Sequence, residues 1–299
     1  MSDRLSDLAF GAGWALVCRL PEWVARALFT VIADLIWLRR GPSVRRYEAN
    51  LRPVVDPGTD DAAVRALSRA GLRSYLRYWC EAFRLPATDA ETLVARIVII
   101  GEENLRTAIA ERRGVVCALP HMANWDHAGA WLVATGERFT TVAERLRPAS
   151  LYDRFVAYRE RLGMEVLAAT DPDVFTTLSS RLREGRVVAL VADRDLSARG
   201  VEVALGRGRT RMPVGPAALA IRTGAALLPT TLWYDSEQLH VRFHPRVDRP
   251  ADLHGRSAIA AMTQEVADVF GAAIAAHPQD WHMLQPFWLA DLETGGQRA

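Results

Sequence analysis

Lysine is missing from this chain: all 37 basic side chains among its 299 residues are arginine. That excludes a Schiff-base lysine, a pyridoxal-phosphate lysine and a Walker-type phosphate loop, each of which needs one. Cysteine is scarce. Cys18, Cys80 and Cys117 are odd in number, far apart and without a Cys-x-x-Cys pair, so neither a disulfide framework nor a zinc knuckle is expected. A reducing cytoplasm suits such a chain. Charge of one sign is lacking too. A net charge of +2 gives no basis for a nucleic-acid partner. Within residues 1–40, the most apolar stretch, neither hydrophobic run approaches the roughly 20 residues needed to cross a bilayer: Leu8 to Cys18 is stopped by Arg19 and Pro21, and Ala27 to Ala33 by Asp34. No basic segment with a small-residue cleavage site opens the chain, so no signal peptide is expected. Gly206, Gly208 and Gly215 do not form a Gly-x-Gly-x-x-Gly turn after a strand, and there is no Gly-x-Ser-x-Gly elbow. A dinucleotide fold and an α/β-type serine hydrolase are both disfavoured.

What is present is apolar and patterned. Half of the residues are hydrophobic, enough for a full core, and no Pro-, Gly- or Ser-rich linker divides the chain. Residues 1–299 therefore read as one α/β domain: helices over 1–40, then a core over 41–299. The first part fits two helices, about Asp3 to Arg19 and about Glu22 to Leu38. Trp14, Trp23, Trp37, Phe10 and Phe29 with Arg39, Arg40, Arg45 and Arg46 suit an anionic lipid surface; the other reading is that these helices cover the sheet. A long helix follows over Ala62 to Arg84. Its arginines at 65, 69, 73 and 77 repel at that spacing and need acidic partners, lipid phosphates or solvent. From Ala95 onward, short apolar runs alternate with amphipathic ones. Strands are expected over Ala95–Ile100, Gly114–Leu119, Phe139–Glu144, Met164–Ala168, Val187–Ala192 and Ala226–Trp233, with a hairpin at Asp235-Ser236-Glu237 leading to Leu239–Phe243. Helices are expected between them and over Ser257–Ala276. That alternation predicts a mainly parallel sheet flanked by helices. Gly200 to Pro216, with four Gly and two Pro, reads as a loop.

The chemistry centres on Pro120-His121-Met122-Ala123-Asn124-Trp125-Asp126. His121 leaves the end of a buried strand and Asp126 lies at or near the start of a helix, the junction where open α/β sheets place sites. Inside a regular helix a five-residue step would turn the two side chains roughly 140° apart. A turn between them allows the Asp to fold back onto the imidazole. A carboxylate on one ring nitrogen fixes the tautomer and leaves the other free to take a proton, a general-base effect of about 10²–10⁴ in rate. This is a triad without its serine, so the nucleophile is expected to be a substrate hydroxyl. The plain alternative is a capping Asp beside a packed His. His121, Asp126 and His127 offer mixed metal ligands but no fourth partner at a recognisable spacing, so no metal is expected. His240, His244, His254, His277 and His282 are scattered and read as structural or exposed.

His-x-x-Asn-Trp-Asp resembles the His-x4-Asp/Glu motif of the glycerolipid and lipid A acyltransferases. It is most similar to the branch that acylates phosphatidylinositol mannosides. The similarity extends through Val142-Ala143-Glu144-Arg145-Leu146, Asp153 to Arg159, Leu162 to Val166, Ala192 to Leu196, Gly200 to Val203 and Asp280 to Pro286. The resemblance implies a glycerolipid acyltransferase-like α/β fold with membrane-associating N-terminal helices. It implies a peripheral enzyme on the cytoplasmic face of the cell membrane. It would move a long-chain acyl group, palmitoyl foremost, from acyl-CoA to a mannose hydroxyl of phosphatidylinositol mannoside. His121 would be the base oriented by Asp126. Acyl-CoA would be a co-substrate, with no other cofactor. Glu144 and Arg159 match the branch in position and would line a polar site wall. Arg194 would suit a phosphate. Glu202 falls where the wider family has an acceptor-binding Glu, although Val201-Glu202-Val203 stands here in place of the usual Pro-Glu-Gly. Related readings are a lysophospholipid or lipid A-type acyltransferase and a membrane-associated acyl thioesterase.

Overall fold

The computed structural model describes residues 14, 17–144, 149–195, 197 and 199–295. The first helices that lie wholly within the described residues are α1 over Glu22–Arg39, α2 over Pro42–Leu51 and α3 over Asp61–Arg84. Helix α1 begins on Pro21 and Glu22, whose charge suits the positive helix start, and ends with Arg40 in a left-handed conformation. Its small face, Ala25, Phe29 and Ala33, is buried, and it packs along α3. Helix α3 is capped by Asp60, whose carboxylate accepts from the backbone N–H of Ala63. The expected first helix, Asp3 to Arg19, lies almost entirely outside the described residues. Helix α2 was not anticipated from the sequence.

The arginine row on α3 has intramolecular partners. Arg65 pairs with Glu48, Arg69 and Arg73 share Asp34, and Arg77 pairs with Glu81. Two aromatic residues expected at lipid are covered to different degrees: Trp37 is part-buried under the Arg65 guanidinium, and Phe29 is buried. Trp14 donates its indole N–H to the carbonyl of Phe83. Arg40 pairs with Glu48 and Arg46 with Asp291.

After α4 (Ala90–Ala95), strands and helices alternate. They are β1 (Ile97–Ile100), α5 (Glu102–Ala110), β2 (Val115–Leu119), α6 (Trp125–Ala134), β3 (Phe139–Ala143) and α7 (Ala149–Arg161). Then come β4 (Glu165–Ala168), α8 (Val174–Arg183), β5 (Val187–Val191), the hairpin β6 (Val201–Leu205) and β7 (Gly208–Met212), and α9 (Gly215–Thr223). The chain closes with β8 (Ala226–Asp235), β9 (Gln238–Phe243), α10 (Gly255–Ala276) and α11 (Leu289–Gly295). Seven strands form one sheet in the order β1-β9-β8-β2-β5-β3-β4, parallel throughout except for the β8–β9 hairpin. Helix α5 packs on β2, β8 and β9, α9 on β2 and β8, and α10 on β6 and β8. Helix α10 is long and apolar enough to cross a bilayer by length and composition. Ala258, Met262, Val266, Phe270 and Ile274 bury one of its faces.

The central strand β2 reads Val-Val-Cys-Ala-Leu and all five residues are buried, as a strand with neighbours on both edges and layers on both faces requires. Gly200 to Pro216 is a correction to the sequence reading. Most of it is a β-hairpin rather than a loop, with Val201 paired to Met212 and Leu205 to Gly208. Val203 and Leu205 are buried while Glu202 and Ala204 face out. This period-two pattern is short, and the flanking glycines and arginines disguise it.

Candidate active site

Strands β2 and β5 are parallel and in register, Leu119 opposite Val191. His121 comes two residues after Leu119 and Asp193 two residues after Val191, so both leave the same edge of the sheet side by side. The His121 Nδ1 lies 2.5 Å from Oδ1 of Asp193, and the His121 backbone N–H donates to Oδ2 at 3.0 Å. The Trp281 indole N–H donates to the same Oδ2 at 3.0 Å. The Asp193 side chain is fully buried, whereas that of His121 is 36% exposed. Burial pushes the Asp193 carboxyl upward, but the facing imidazole and these hydrogen bonds outweigh it and hold the group below the usual carboxylate range. With Nδ1–H given to a carboxylate, Nε2 keeps its lone pair for a proton.

The expected contact between His121 and Asp126 does not form. The turn exists, and Asp126 sits in the first turn of α6 with its side chain buried. Its two oxygens, however, are taken by the fork of Arg159, at 2.6 and 3.1 Å, and Oδ2 also accepts from the Tyr78 hydroxyl at 3.0 Å. A planar guanidinium beside a buried carboxylate is a stronger partner than an imidazole across a turn. Burial works against the charge on Arg159, yet Asp126 more than restores it and keeps the group firmly cationic.

The loop between His121 and α6 is held from three sides. Ala123 takes a left-handed conformation, φ 45°, normally unfavourable for a side chain with Cβ. Its N–H donates to the carbonyl of Asp280 at 2.9 Å, and the His282 N–H donates to the carbonyl of His121 at 2.7 Å. Asn124 caps α6 by accepting from the His127 N–H at 2.9 Å, and its amide donates to Glu81 at 3.0 Å. His127 is buried and bonded to the carbonyl of Leu93 at 2.9 Å. No cluster of metal-ligating side chains occurs among the described residues.

His121 opens onto a wide cleft whose walls include Trp125, Glu144, Arg159, Arg194 and His282. Three of the four expected substrate-binding residues, Glu144, Arg159 and Arg194, therefore share this cleft with His121. Glu202 does not. It lies on the outer face of the β6–β7 hairpin, paired with Arg209 and Arg211. Behind Trp125 and Arg159 a much smaller cavity of about 70 Å³ lies against the sheet. Its walls are mostly apolar, with Leu119, Leu132, Phe139, Met164, Val241 and Phe243 among them, and the Arg159–Asp126 pair borders it. Trp125, Val142, Arg159 and Val191 border both spaces. Asp193 and Trp281 were not singled out as site residues from the sequence. Asp193 was visible as the acid ending a buried strand, but its neighbour in the sheet was not.

An imidazole-carboxylate pair at the strand ends of a parallel sheet faces a cleft whose mostly apolar walls carry the polar groups Glu144, Arg159 and Arg194, a lining that suits an enzyme handling an apolar chain with a polar head. The family model described as "Bacterial lipid A biosynthesis acyltransferase" matches residues 4–290, and the chain belongs to that acyltransferase family. It is 46% identical to the phosphatidylinositol mannoside acyltransferase of Mycolicibacterium smegmatis (strain ATCC 700084 / mc(2)155) over 297 residues, covering 98% of this chain and 94% of that one. It is 48% identical to the phosphatidylinositol mannoside acyltransferase of Mycobacterium tuberculosis (strain ATCC 25618 / H37Rv) over 292 residues, covering 96% and 90%.

Proposed function

We propose that this acyltransferase moves a long-chain acyl group, palmitoyl foremost, from acyl-CoA to a mannose hydroxyl of phosphatidylinositol mannoside. The observation that carries this reading is the position of His121: anchored through Nδ1 on Asp193, it stands on the wall of a cleft that combines an apolar lining with Glu144, Arg159 and Arg194. Nε2 takes the proton of the mannose hydroxyl as its oxygen attacks the thioester carbonyl. The tetrahedral intermediate then collapses, the carbon–sulfur bond breaks, and the departing thiolate recovers the proton from Nε2–H. The products are the mannose ester and CoA, and the base is regenerated. This assigns the orienting role to Asp193. Asp126 holds Arg159 on the wall between cleft and cavity.

The apolar walls of the cleft and of the small cavity behind it take the acyl chain, each buried CH₂ contributing about 0.8 kcal/mol. Arg194 has no ion pair among the described residues and suits a phosphate of acyl-CoA or of the inositol lipid. Glu144 suits sugar hydroxyls. Helix α1 supplies the surface for the lipid: Trp23 is 75% exposed, and Val31, Leu35 and Leu38 are exposed farther along the same helix. With Arg39 and Arg45, that face suits the anionic cytoplasmic surface of the cell membrane.

The test is to incubate the protein with palmitoyl-CoA and vesicles carrying phosphatidylinositol mannoside, a lysophospholipid or a lipid A precursor, and to weigh the lipids by mass spectrometry. The reading expects one palmitoyl group added to the mannoside. Acylation of only the other acceptors would overturn the acceptor assignment, and hydrolysis without any acylated lipid would overturn transfer.

A further inference from the structure

We propose that Trp281 is a positioning residue of this site, acting on His121 through Asp193; the proposal rests on the reading of His121 as the base. Residues 280–283 lie as a strap across the loop that carries His121. Two backbone hydrogen bonds, Ala123 N–H to Asp280 and His282 N–H to His121, flank an antiparallel bridge between Met122 and Trp281. The strap thus delivers the Trp281 ring to the interior end of the Asp193–His121 pair. The ring is fully buried. Phe287 meets it edge-on at 4.8 Å and Trp288 at 6.3 Å.

The indole N–H has one use. It donates to Oδ2 of Asp193 at 3.0 Å. The terminal torsion of an aspartate is broad and roughly two-fold, so one donor would leave the carboxylate free to pivot. Three donors on two oxygens fix its plane: the His121 ring on Oδ1, and the His121 backbone and Trp281 on Oδ2. The fixed plane fixes the imidazole and the direction of the Nε2 lone pair. The indole also draws on the carboxylate charge, so removing it makes Asp193 a stronger acceptor for the imidazolium. The other ionisable groups about the pair are His282 on the strap, Tyr75 and Tyr78 on α3, and Arg159, Arg194 and Glu144 on the cleft wall. The Arg159–Asp126 ion pair borders the adjoining cavity. None of these groups donates to Asp193.

Trp281→Phe keeps an aromatic, though smaller, ring and removes the donor. Oδ2 retains the His121 N–H, so no buried acceptor is left unpaired and the fold is expected to persist. The experiment is a double-mutant cycle of Trp281→Phe and Asp193→Asn, with His121→Ala alongside, reading kcat, KM, the pH profile of kcat/KM and the melting temperature. Trp281→Phe should lower kcat by about tenfold to hundredfold, the range for one hydrogen bond to a charged group, with KM little changed. The acidic limb of the profile should move to higher pH, and the substitution should add little on the Asp193→Asn background. An unchanged kcat and acidic limb would overturn the proposal, as would an equal loss on both backgrounds, provided that His121→Ala abolishes turnover. If His121→Ala remains active, it is the assignment of the base that fails.

Discussion

Asp193→Asn separates the two carboxylates near His121. In the native site three N–H donors converge on one carboxylate. An amide offers one acceptor oxygen and one donor group, so one face must set N–H against N–H. If the oxygen serves the His121 backbone and Trp281, the amide N–H faces Nδ1. The imidazole must then carry its proton on Nε2, where the base needs a lone pair. A wrong tautomer of this kind costs on the order of 10⁴ in kcat. One buried donor left poorly satisfied costs about 1–3 kcal/mol of stability. Asp126→Asn should behave in the opposite sense. It leaves the buried Arg159 charge with a neutral partner, and breaking a buried pair costs about 3–5 kcal/mol, of order 5–10 °C in melting temperature for a chain of this size. The assay is CoA-thiol release at saturating palmitoyl-CoA and mannoside, normalised to folded protein by calorimetry. If Asp126→Asn abolishes turnover with its melting temperature intact while Asp193→Asn keeps native kcat, the pairing described here is refuted and Asp126 orients the base.

A Cβ built on Gly129 meets the Phe139 ring tip at 2.8 Å and the Met164 methyl at 3.0 Å, both on the wall of the apolar cavity. Gly129→Val should therefore shift preference to shorter chains across decanoyl- to stearoyl-CoA, about fourfold in kcat/KM for each CH₂ excluded; an unchanged series would remove the cavity from chain selection. Asp280 accepts from Ser74 at 2.6 Å and from the Tyr234 N–H at 3.0 Å, yet burial pushes its carboxyl up to about 6. The folded state thus holds a proton that the unfolded state has already released, so this group's contribution to stability falls as pH rises from about 4 to about 6. Asp280→Asn removes that titration, and its stability relative to wild type should rise by about 3 kcal/mol across the window in urea unfolding. A constant difference would contradict the shift. Trp23→Asp with Leu38→Asp should weaken flotation with anionic vesicles and leave turnover on a detergent-dispersed acceptor intact; equal flotation of variant and wild type would move the docking surface elsewhere.

Much of the scaffold was legible because its signals are local. The runs Val115–Leu119 and Val187–Val191 and the turn chemistry at Asp235-Ser236-Glu237 each declare an element within a few residues. The His121 turn was legible for the same reason. What was not legible depends on which strands become neighbours. Asp193 is 72 positions from His121 and meets it only because β5 lies beside β2. Trp281 arrives from still farther along, on a strap with no regular structure to announce it. Arg159 lies on the predicted helix of α7, but nothing in the spacing says that it captures Asp126. Burial on α1 was misjudged for a related reason. Trp23 and Trp37 look alike in sequence, and only the packing of α3 decides which one is covered.

The most direct measurement is CoA-thiol release from palmitoyl-CoA, with and without phosphatidylinositol mannoside, by wild type and by folded His121→Ala. The account predicts release that requires both the mannoside and His121. Equal release without the mannoside, or native release by the alanine variant, would contradict it.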